Sequence, residues 1–325
     1  MDRRRFISAS TLLVGLGGAG AARAQAPSSL AKKFIVPGSA GTGGDAVARF
    51  MARALEKQLG TPIIVDNKPG AGGIIGTDAA AKAAPDGSNF LLTTANHYVL
   101  PWVYDNVPYK AQEDFVPIAG FGSSAMVLVV SPSSPYATVQ DLLKAARGGN
   151  ADLSYSSAGN GTLSHICGAL FNSTAGIHMR HVPYKAATQG LLDVSTGVVS
   201  VGFLGVVGAL PLVSAGKLKI LAVAGRNRSI HLPQVPTLQE CGLKGYDIDS
   251  PFLALAPRGT PARVIETMEQ GFMAASQDAA FADFCKSQGL ENGYRENAAQ
   301  LAVTMPREFQ RWKKLIETAQ AKSTA

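Results

Sequence analysis

The stretch SSAGNGTLSH, residues 156–165, places two glycines and several hydroxyl side chains between a short apolar run and a helical one. Glycine lets the backbone turn sharply and approach a bound molecule closely. The first N–H groups of a helix have no partner inside the helix, so they can bind an anion without a cationic side chain. The stretch therefore predicts a strand-to-helix junction that can hold an anion.

Two other loops repeat this arrangement. PGSAGTGGDA (37–46) follows the strand candidate Lys33–Val36, and NKPGAGGIIG (67–76) follows the strand candidate Ile63–Asp66. Ordinary turn chemistry accounts for any one of these loops taken alone. Three of them favour a common ligand-binding edge, because the carboxyl ends of parallel strands gather at one side of an open α/β sheet.

Short β-branched runs alternate with helical periodicity along the rest of the chain, which indicates an α/β fold built from parallel βαβ units. Thr138 and Asp141 form a capping box that predicts a helix ending near Gly148. The further strand candidates are Phe90–Thr93, Met126–Ser131, Leu153–Ser156, Val198–Leu204, Leu218–Val223 and Phe252–Ala256.

Two segments have the composition of crossings between lobes, namely Pro117–Ser124 and the polar stretch Arg226–Asp249, which contains two prolines. If both cross, the first lobe is discontinuous and comprises residues 25–124 and 246–325. Residues 125–245 then form the second lobe. This division predicts a cleft between the two lobes.

The first 24 residues have the pattern of a removable export signal. An arginine cluster at Arg3–Arg5 precedes a short apolar stretch, and Ala22-Arg23-Ala24 matches an A-x-A cleavage pattern. Both Sec and twin-arginine export are compatible with this segment. We therefore expect the mature protein in the periplasm, with cleavage near Ala24.

Charge and composition exclude several functions. Removal of residues 1–24 takes away four arginines and one aspartate, so the formal net charge falls by three from +7 to +4. This charge is too small and too scattered for nucleic-acid binding. Cys167, Cys241 and Cys285 lie far apart, and the five histidines are dispersed. No metal site is expected, and buried free thiols are favoured over a single disulfide.

An exported nicotinamide-dependent oxidoreductase is the main alternative. GTGGDA (41–46) matches the G-x-G-x-x-A fingerprint, and Asp66 ends the next strand where a ribose-binding acid belongs. Against this interpretation, residues 37–40 separate the strand from the first glycine, and Asp45 would place a negative charge beside the pyrophosphate. A serine hydrolase has less support, because no G-x-S-x-G motif occurs.

With these loops in view, the chain resembles the Bug family, the tripartite tricarboxylate transporter substrate-binding proteins of Gram-negative bacteria. The resemblance implies a type II periplasmic-binding-protein fold, with two lobes that each contain a mainly parallel sheet flanked by helices, and a cleft between them. It also implies a monomeric receptor without cofactor or catalysis, which delivers a small carboxylate to one large and one small membrane subunit. A sensory role without transport is the other option. The motifs that carry the resemblance are NKPGAGGIIG (67–76), AKAAPDG (81–87), SAGNGT (157–162) with His165, HVPYK (181–185), AGKLKILAV (215–223) and LAPRGTP (255–261).

The family holds its ligand between the first strand–helix turn of lobe one and the corresponding turn of lobe two. For His165, the structural alternative is to cap or pack the first helical turn. Carried onto this sequence, the resemblance makes the following residues candidate ligand contacts: Gly38, Ser39, Ala40, Thr42, Gly43, Asp45, His97, Ser157, Ala158, Gly159, Asn160, Gly161, Thr162, His165 and Leu204.

Several positions depart from the family pattern. The first turn of the family reads V-P-F-P-P-G-G-x-x-D, and this chain keeps only part of it, without the Phe and two of the prolines. Leu204 stands where the family commonly has an aspartate, and Pro251 where an aromatic residue is frequent. These changes favour a larger or more apolar guest than a simple dicarboxylic or amino acid, such as an aromatic carboxylate.

Overall fold

The computed structural model describes residues 31–148, 152–185 and 187–321. The export signal predicted for residues 1–24 lies outside the described residues. The strands are β1 Lys32–Val36, β2 Ile63–Asn67, β3 Asn89–Thr93, β4 Phe115–Val130, β5 Ser154–Ser157, β6 Arg180–Pro183, β7 Val201–Gly205, β8 Lys219–Val223, β9 Asp249–Pro257 and β10 Glu291–Asn297. The helices are α1 Gly43–Leu59, α2 Ile74–Ala81, α3 Asn96–Val103, α4 Val139–Arg147, α5 Leu163–Ala175, α6 Ala187–Ser195, α7 Val206–Ser214, α8 Ala262–Gln277, α9 Ala279–Gln288 and α10 Ala298–Ala319.

The strands form one continuous sheet in the order β2-β1-β3-β9-β4-β7-β5-β6, and β8 and β10 also pair with β4. We call β1, β2, β3, β9, β10 and residues 115–125 of β4 the first strand group, and β5 to β8 with residues 126–130 of β4 the second strand group. Within the first group β1, β2 and β3 are parallel, and within the second β5, β6 and β7 are parallel. The α/β class is confirmed, and each strand candidate from the sequence coincides with part of an observed strand.

The long strand β4 connects the two groups and begins earlier than the sequence indicates. The segment Pro117–Ser124, placed by the sequence ahead of a strand at Met126, is itself strand and pairs with β9 and β10. The glycines in this segment prevent its recognition as a strand from the sequence alone. Gly122 adopts φ +62, and a Cβ on Gly120 would lie 2.7 Å from the ring of Tyr294. Both positions therefore need glycine within a paired strand.

The strand directions place two sets of strand-to-helix turns opposite each other. In the first group β4 runs parallel to β3, because β9 lies between them and is antiparallel to both. Thr93, at the end of β3, is level with Gly120. β4 then continues to Met126, which pairs with Gly205, the last residue of β7. The carboxyl ends of the parallel strands of both groups therefore face each other across residues 121–125 of β4.

Three hydrophobic clusters hold this arrangement. One lies under α1 and α8 against the first strand group, and another lies between α7 and the second strand group. The third cluster is continuous across both groups and includes Phe309 and Trp312 of α10 together with Phe171 of α5. The C-terminal helix thus packs against both groups and joins them on one side of the molecule.

Two of the observed strands, β6 and β10, were not among the strand candidates from the sequence. Cys167 and Cys285 are buried free thiols, and Cys241 is a half-buried one. No helix in the described ranges is both long enough and apolar enough to cross a membrane.

Candidate functional site

The first turn, Pro37–Thr42, joins β1 to α1. Gly41 adopts φ +81, a left-handed conformation that favours glycine. Thr42 is the N-cap residue, but its hydroxyl donates to the Ser39 carbonyl at 2.8 Å and does not cap the helix. No acceptor among the described residues receives the N–H groups of Gly43, Gly44 and Asp45. The start of α1 therefore keeps the anion-binding capacity that the sequence predicted.

A network of side chains fixes this turn from within the first group. Asp45 accepts from the Gly41 N–H at 2.9 Å and from Arg49 Nε at 3.1 Å. Arg49 also donates to Asn67 Oδ1, and Asn67 donates to the Gly38 carbonyl, both at 3.1 Å. Burial raises the pKa of Asp45, but the hydrogen bonds from Arg49 and Gly41 outweigh it and leave the pKa below its usual range. Asp45 thus positions the turn and offers no free carboxylate.

The second turn, Ala158–Thr162, joins β5 to α5. The sequence predicts unpaired N–H groups in the first turn of the helix that follows, whereas most N–H groups of the loop itself are bound by neighbouring side chains. Serine, threonine and histidine near a helix start commonly accept from such N–H groups. Asn160 in this turn, and Leu163 and Ser164 in the first turn of α5, have N–H groups without an acceptor among the described residues. The bonds are Ala158 N to Ser164 Oγ at 3.0 Å, Gly159 N to Ser157 Oγ at 3.1 Å, Gly161 N to His165 Nδ1 at 3.2 Å and His165 N to Thr162 Oγ1 at 3.4 Å.

Three stacked rings support the second turn from behind. The imidazoles of His165 and His181 lie 4.3 Å apart, and His181 stacks on Tyr155 at 4.9 Å. His181 Nε2 lies 2.6 Å from Ser157 Oγ. Burial lowers the pKa of His165, and burial together with His165 lowers the pKa of His181 to about 4. Both rings are therefore neutral at pH 7 and place no cation at the turn.

The ring nitrogens of these histidines have distinct roles. Because the Gly161 N–H can only donate, His165 Nδ1 is the acceptor, and the proton of the neutral ring sits on Nε2. Ser157 and His181 form a hydroxyl–imidazole pair. No carboxylate in the described part of the chain hydrogen-bonds to His181, so the orienting third member of a catalytic triad is missing.

The two edges are in contact at two places near these turns. On the face of the sheet that carries α3 and α5, the Tyr104 hydroxyl donates to the Asn160 carbonyl at 2.8 Å. On the face that carries α1 and α7, a Cβ on Gly43 would lie 3.3 Å from Val207. Leu204, half-buried near the end of β7, precedes α7 on the same edge. The second edge therefore carries apolar side chains at Leu204 and Val207.

The structure does not bring His97 to this cleft, which corrects its assignment as a ligand contact. His97 is fully buried, and its ring packs edge-on against Phe115 at 5.3 Å and Phe309 at 5.7 Å. Its Nε2 lies 3.1 Å from the Ala111 carbonyl, and burial lowers its pKa to about 4. Its neighbour Asn96 does reach the 67–76 loop, where it donates to the Gly72 carbonyl at 3.1 Å.

The other candidate contacts lie on the two facing edges. Ser39, Ala40 and Thr42 are exposed on the first turn, and Asn160 is exposed on the second. Within the described ranges, no group of three or more His, Cys, Asp or Glu side chains is arranged to hold a metal ion. Backbone N–H groups and hydroxyls on these edges are able to bind a small anion.

Comparison with known proteins agrees with this geometry. Residues 47–320 match the family model described as tripartite tricarboxylate transporter family receptor. A protein of Pseudomonas sp. strain P51, described as the UPF0065 protein in the tcbD-tcbE intergenic region, is 33% identical over 319 residues, which cover 97% of this chain and 94% of that protein.

Solved structures show the same architecture. The periplasmic binding protein BugD superposes with a TM-score of 0.82 at 29% identity, covering 90% of this chain and 98% of that one. The R. palustris protein Rpa4515, solved with adipate, superposes with a TM-score of 0.84 at 29% identity and the same coverage.

Proposed function

This chain belongs to the tripartite tricarboxylate transporter receptor family, and from that premise we propose that it captures a small carboxylate between its first and second turns and delivers it to a transporter of that kind. Members of this family are periplasmic solute-binding receptors that bind carboxylates and perform no chemistry. The nicotinamide-dependent alternative is accordingly set aside. The carboxylate of Asp45 also accepts from the Gly41 N–H, so it places a negative charge at the loop that would have to bind the pyrophosphate.

The observation that carries the proposal is the uncapped start of α1. Its three N–H groups without acceptors face the edge that holds the second turn and α7. A hydrogen bond to a charged group contributes about 1.5–3 kcal/mol net. Three such bonds would approach the roughly 8 kcal/mol of a micromolar site. A carboxylate can therefore be held there without an arginine.

The second edge suits a different part of the ligand. Most N–H groups of the second turn are already bound, the two histidines are neutral, and Leu204 and Val207 form an apolar wall. We therefore favour a carboxylate with an apolar body, either aromatic or a dicarboxylate with a methylene chain. The adipate found in Rpa4515 is an example of the second class.

Ligand binding would couple to lobe closure. We place the lobes at residues 25–124 with 246–325 and at residues 125–245. The change of partners along β4, from β9 and β10 to β7 and β8, supports a boundary near Ala125. A carboxylate that touches both edges stabilises the closed form over the open one. The membrane subunits of the transporter, one large and one small, would then recognise the closed form.

We expect the mature protein to be a periplasmic monomer that lacks residues 1–24 and is exported by either the Sec or the twin-arginine route. A sensory role without transport would use the same closure. Fusion of residues 1–24 to a reporter that is active only after export tests the signal directly.

Binding is tested with the purified mature protein. Isothermal titration with adipate, benzoate, phthalate and malate should give micromolar affinity for at least one of the first three. Native mass spectrometry of the protein as isolated would detect a ligand retained through purification. Absence of binding to the whole panel, with no retained ligand, would contradict the proposed function. Binding of malate alone would contradict the apolar ligand class.

A further inference from the structure

Tyr104 reaches from the first strand group to the second turn. It follows α3, which packs on α10 and on the 67–76 loop. Its hydroxyl donates to the carbonyl of Asn160 at 2.8 Å, between residues 56 positions apart in the chain. None of the sequence motifs includes Tyr104. The contact exists only when the two facing edges come together.

Two glycines leave room for the tyrosine ring, namely Gly72 in the 67–76 loop and Gly161 in the second turn. Gly161 adopts φ +73, and a Cβ there would lie 2.6 Å from Tyr104 Cε2. A Cβ on Gly72 would lie 3.7 Å from the Tyr104 hydroxyl and about as close, 4.0 Å, to the Gly161 carbonyl. The ring therefore lies directly on the backbone of the second turn, with the 67–76 loop beside it.

We propose that Tyr104 is a specificity-determining residue of the cleft, which fixes the length of ligand that the closed form can hold and slows ligand release. This inference rests on the proposed carboxylate-binding function. Because the ring covers Gly161, ligand atoms cannot extend past the second turn on that side. On the other face of the sheet, where α1 and α7 lie, the contact between Gly43 and Val207 sets the other limit. The ligand is confined between these two contacts.

The hydroxyl and the ring of Tyr104 have separable effects. The hydroxyl forms one hydrogen bond that is made on closure and broken on opening, so its loss should weaken binding about 3- to 10-fold through faster dissociation. Burial raises the pKa of Tyr104, so the hydroxyl remains a neutral donor at neutral pH. The ring acts by occupying space, so only its removal should alter which ligand lengths are accepted.

The test compares Tyr104→Phe, Tyr104→Ala and the control Tyr136→Phe, a half-buried tyrosine of the second lobe outside the cleft. The probes are the straight-chain dicarboxylates from succinate to suberate, with benzoate as a compact ligand. Affinities come from calorimetry, and dissociation rates come from stopped-flow fluorescence of Trp102, two residues from Tyr104.

For Tyr104→Phe we expect faster dissociation and an unchanged preferred chain length. For Tyr104→Ala we expect a shift of the preferred length towards longer dicarboxylates. If both variants have the same dissociation rate and the same preferred chain length as the wild-type protein, Tyr104 has no such role. The proposed receptor function would still stand in that case. If the wild-type protein binds no probe, both proposals fail. Tyr104→Phe keeps the ring packing, so it tests the inference even if Tyr104→Ala does not fold.

Discussion

His165 and His181 stack face to face with their ring centres 4.3 Å apart, and each ring also contacts a residue in or next to the second turn. His165 accepts from the Gly161 N–H, and His181 contacts the Ser157 hydroxyl. Protonation would place two positive charges in contact and would remove the acceptor for Gly161. Protonation of these rings should therefore destabilise the second turn.

This relationship predicts a loss of stability in mild acid. The folded-state pKa of His181, about 4, lies below its ordinary value of 6.5, so the unfolded chain binds the proton more readily. The free energy of unfolding should fall as the pH drops from about 6.5 to about 4. One histidine contributes at most about 1.4 kcal/mol per pH unit, and less for a ring that is partly exposed. His97, with a pKa also lowered to about 4, acts in the same direction.

The measurement is urea unfolding at pH 7, 6, 5 and 4.5 for the wild-type protein, His181→Phe and the control His178→Asn. Phenylalanine keeps the stacking on Tyr155 but does not titrate, so the dependence on pH should become shallower. His178 is exposed and makes neither contact, so its replacement should leave the dependence unchanged. Equal slopes in the wild-type protein and His181→Phe would contradict the prediction.

The uncapped start of α1 predicts an effect of removing a single N–H group. Gly43→Pro eliminates one N–H at the first helical position, where proline is tolerated, and Thr42 already has the extended conformation that proline requires before it. Gly43→Ala adds a similar Cβ beside Val207 but keeps the N–H. Gly43→Pro should bind the carboxylate probe at least about 10-fold more weakly than Gly43→Ala. Equal affinities of the two variants by calorimetry would mean that this N–H does not contact the ligand.

The network around Asp45 predicts a loss of stability when its carboxylate is removed. Asp45 is buried and accepts from Gly41 and Arg49, so Asp45→Ala should cost about 1–3 kcal/mol. Asp78 and Lys82 form an ion pair with the same spacing in the sequence on the more exposed α2, and Asp78→Ala should cost about 0.5 kcal/mol. Chemical denaturation of both variants gives the comparison. A cost for Asp45→Ala no larger than that for Asp78→Ala would argue against the positioning role.

Much of the fold could be predicted from the sequence because the buried strands are apolar and glycine-rich loops follow them. The missed elements lack that signal. β10 reads ENGYREN and is recognisable only by its pairing with β4, and the Pro117–Ser124 segment carries glycines that fit Tyr294 and a left-handed turn. Such strands are defined by their neighbours, and neighbours distant in sequence cannot be found from local patterns.

The candidate site could be located from the sequence but its chemistry could not. The glycines marked both turns correctly as facing edges. Whether an N–H is free depends on side-chain rotamers, and here Ser164 and His165 turn back to bind the second turn while Thr42 leaves the first helix uncapped. Tyr104 and His181 were missed because each meets its partner only through tertiary packing. His181 lies in the HVPYK motif, which was the one signal that pointed towards it.

Leu204 gives a direct test of how the apolar wall selects the ligand. It lies one residue before the end of β7, and α7 begins two residues after it at Val206. Leu204→Asp should disfavour adipate and benzoate and favour a ligand with an ammonium group, such as aspartate, whereas Leu204→Asn changes polarity without adding charge. Two charges 4 Å apart interact by about 1 kcal/mol in water and about 4 kcal/mol near a protein surface. The preference for aspartate over adipate should therefore rise at least about fivefold in Leu204→Asp relative to Leu204→Asn, and the rise should shrink in high salt. If calorimetry gives the same ratio of affinities for both variants, Leu204 does not face the bound ligand, and the apolar preference must come from another wall of the cleft.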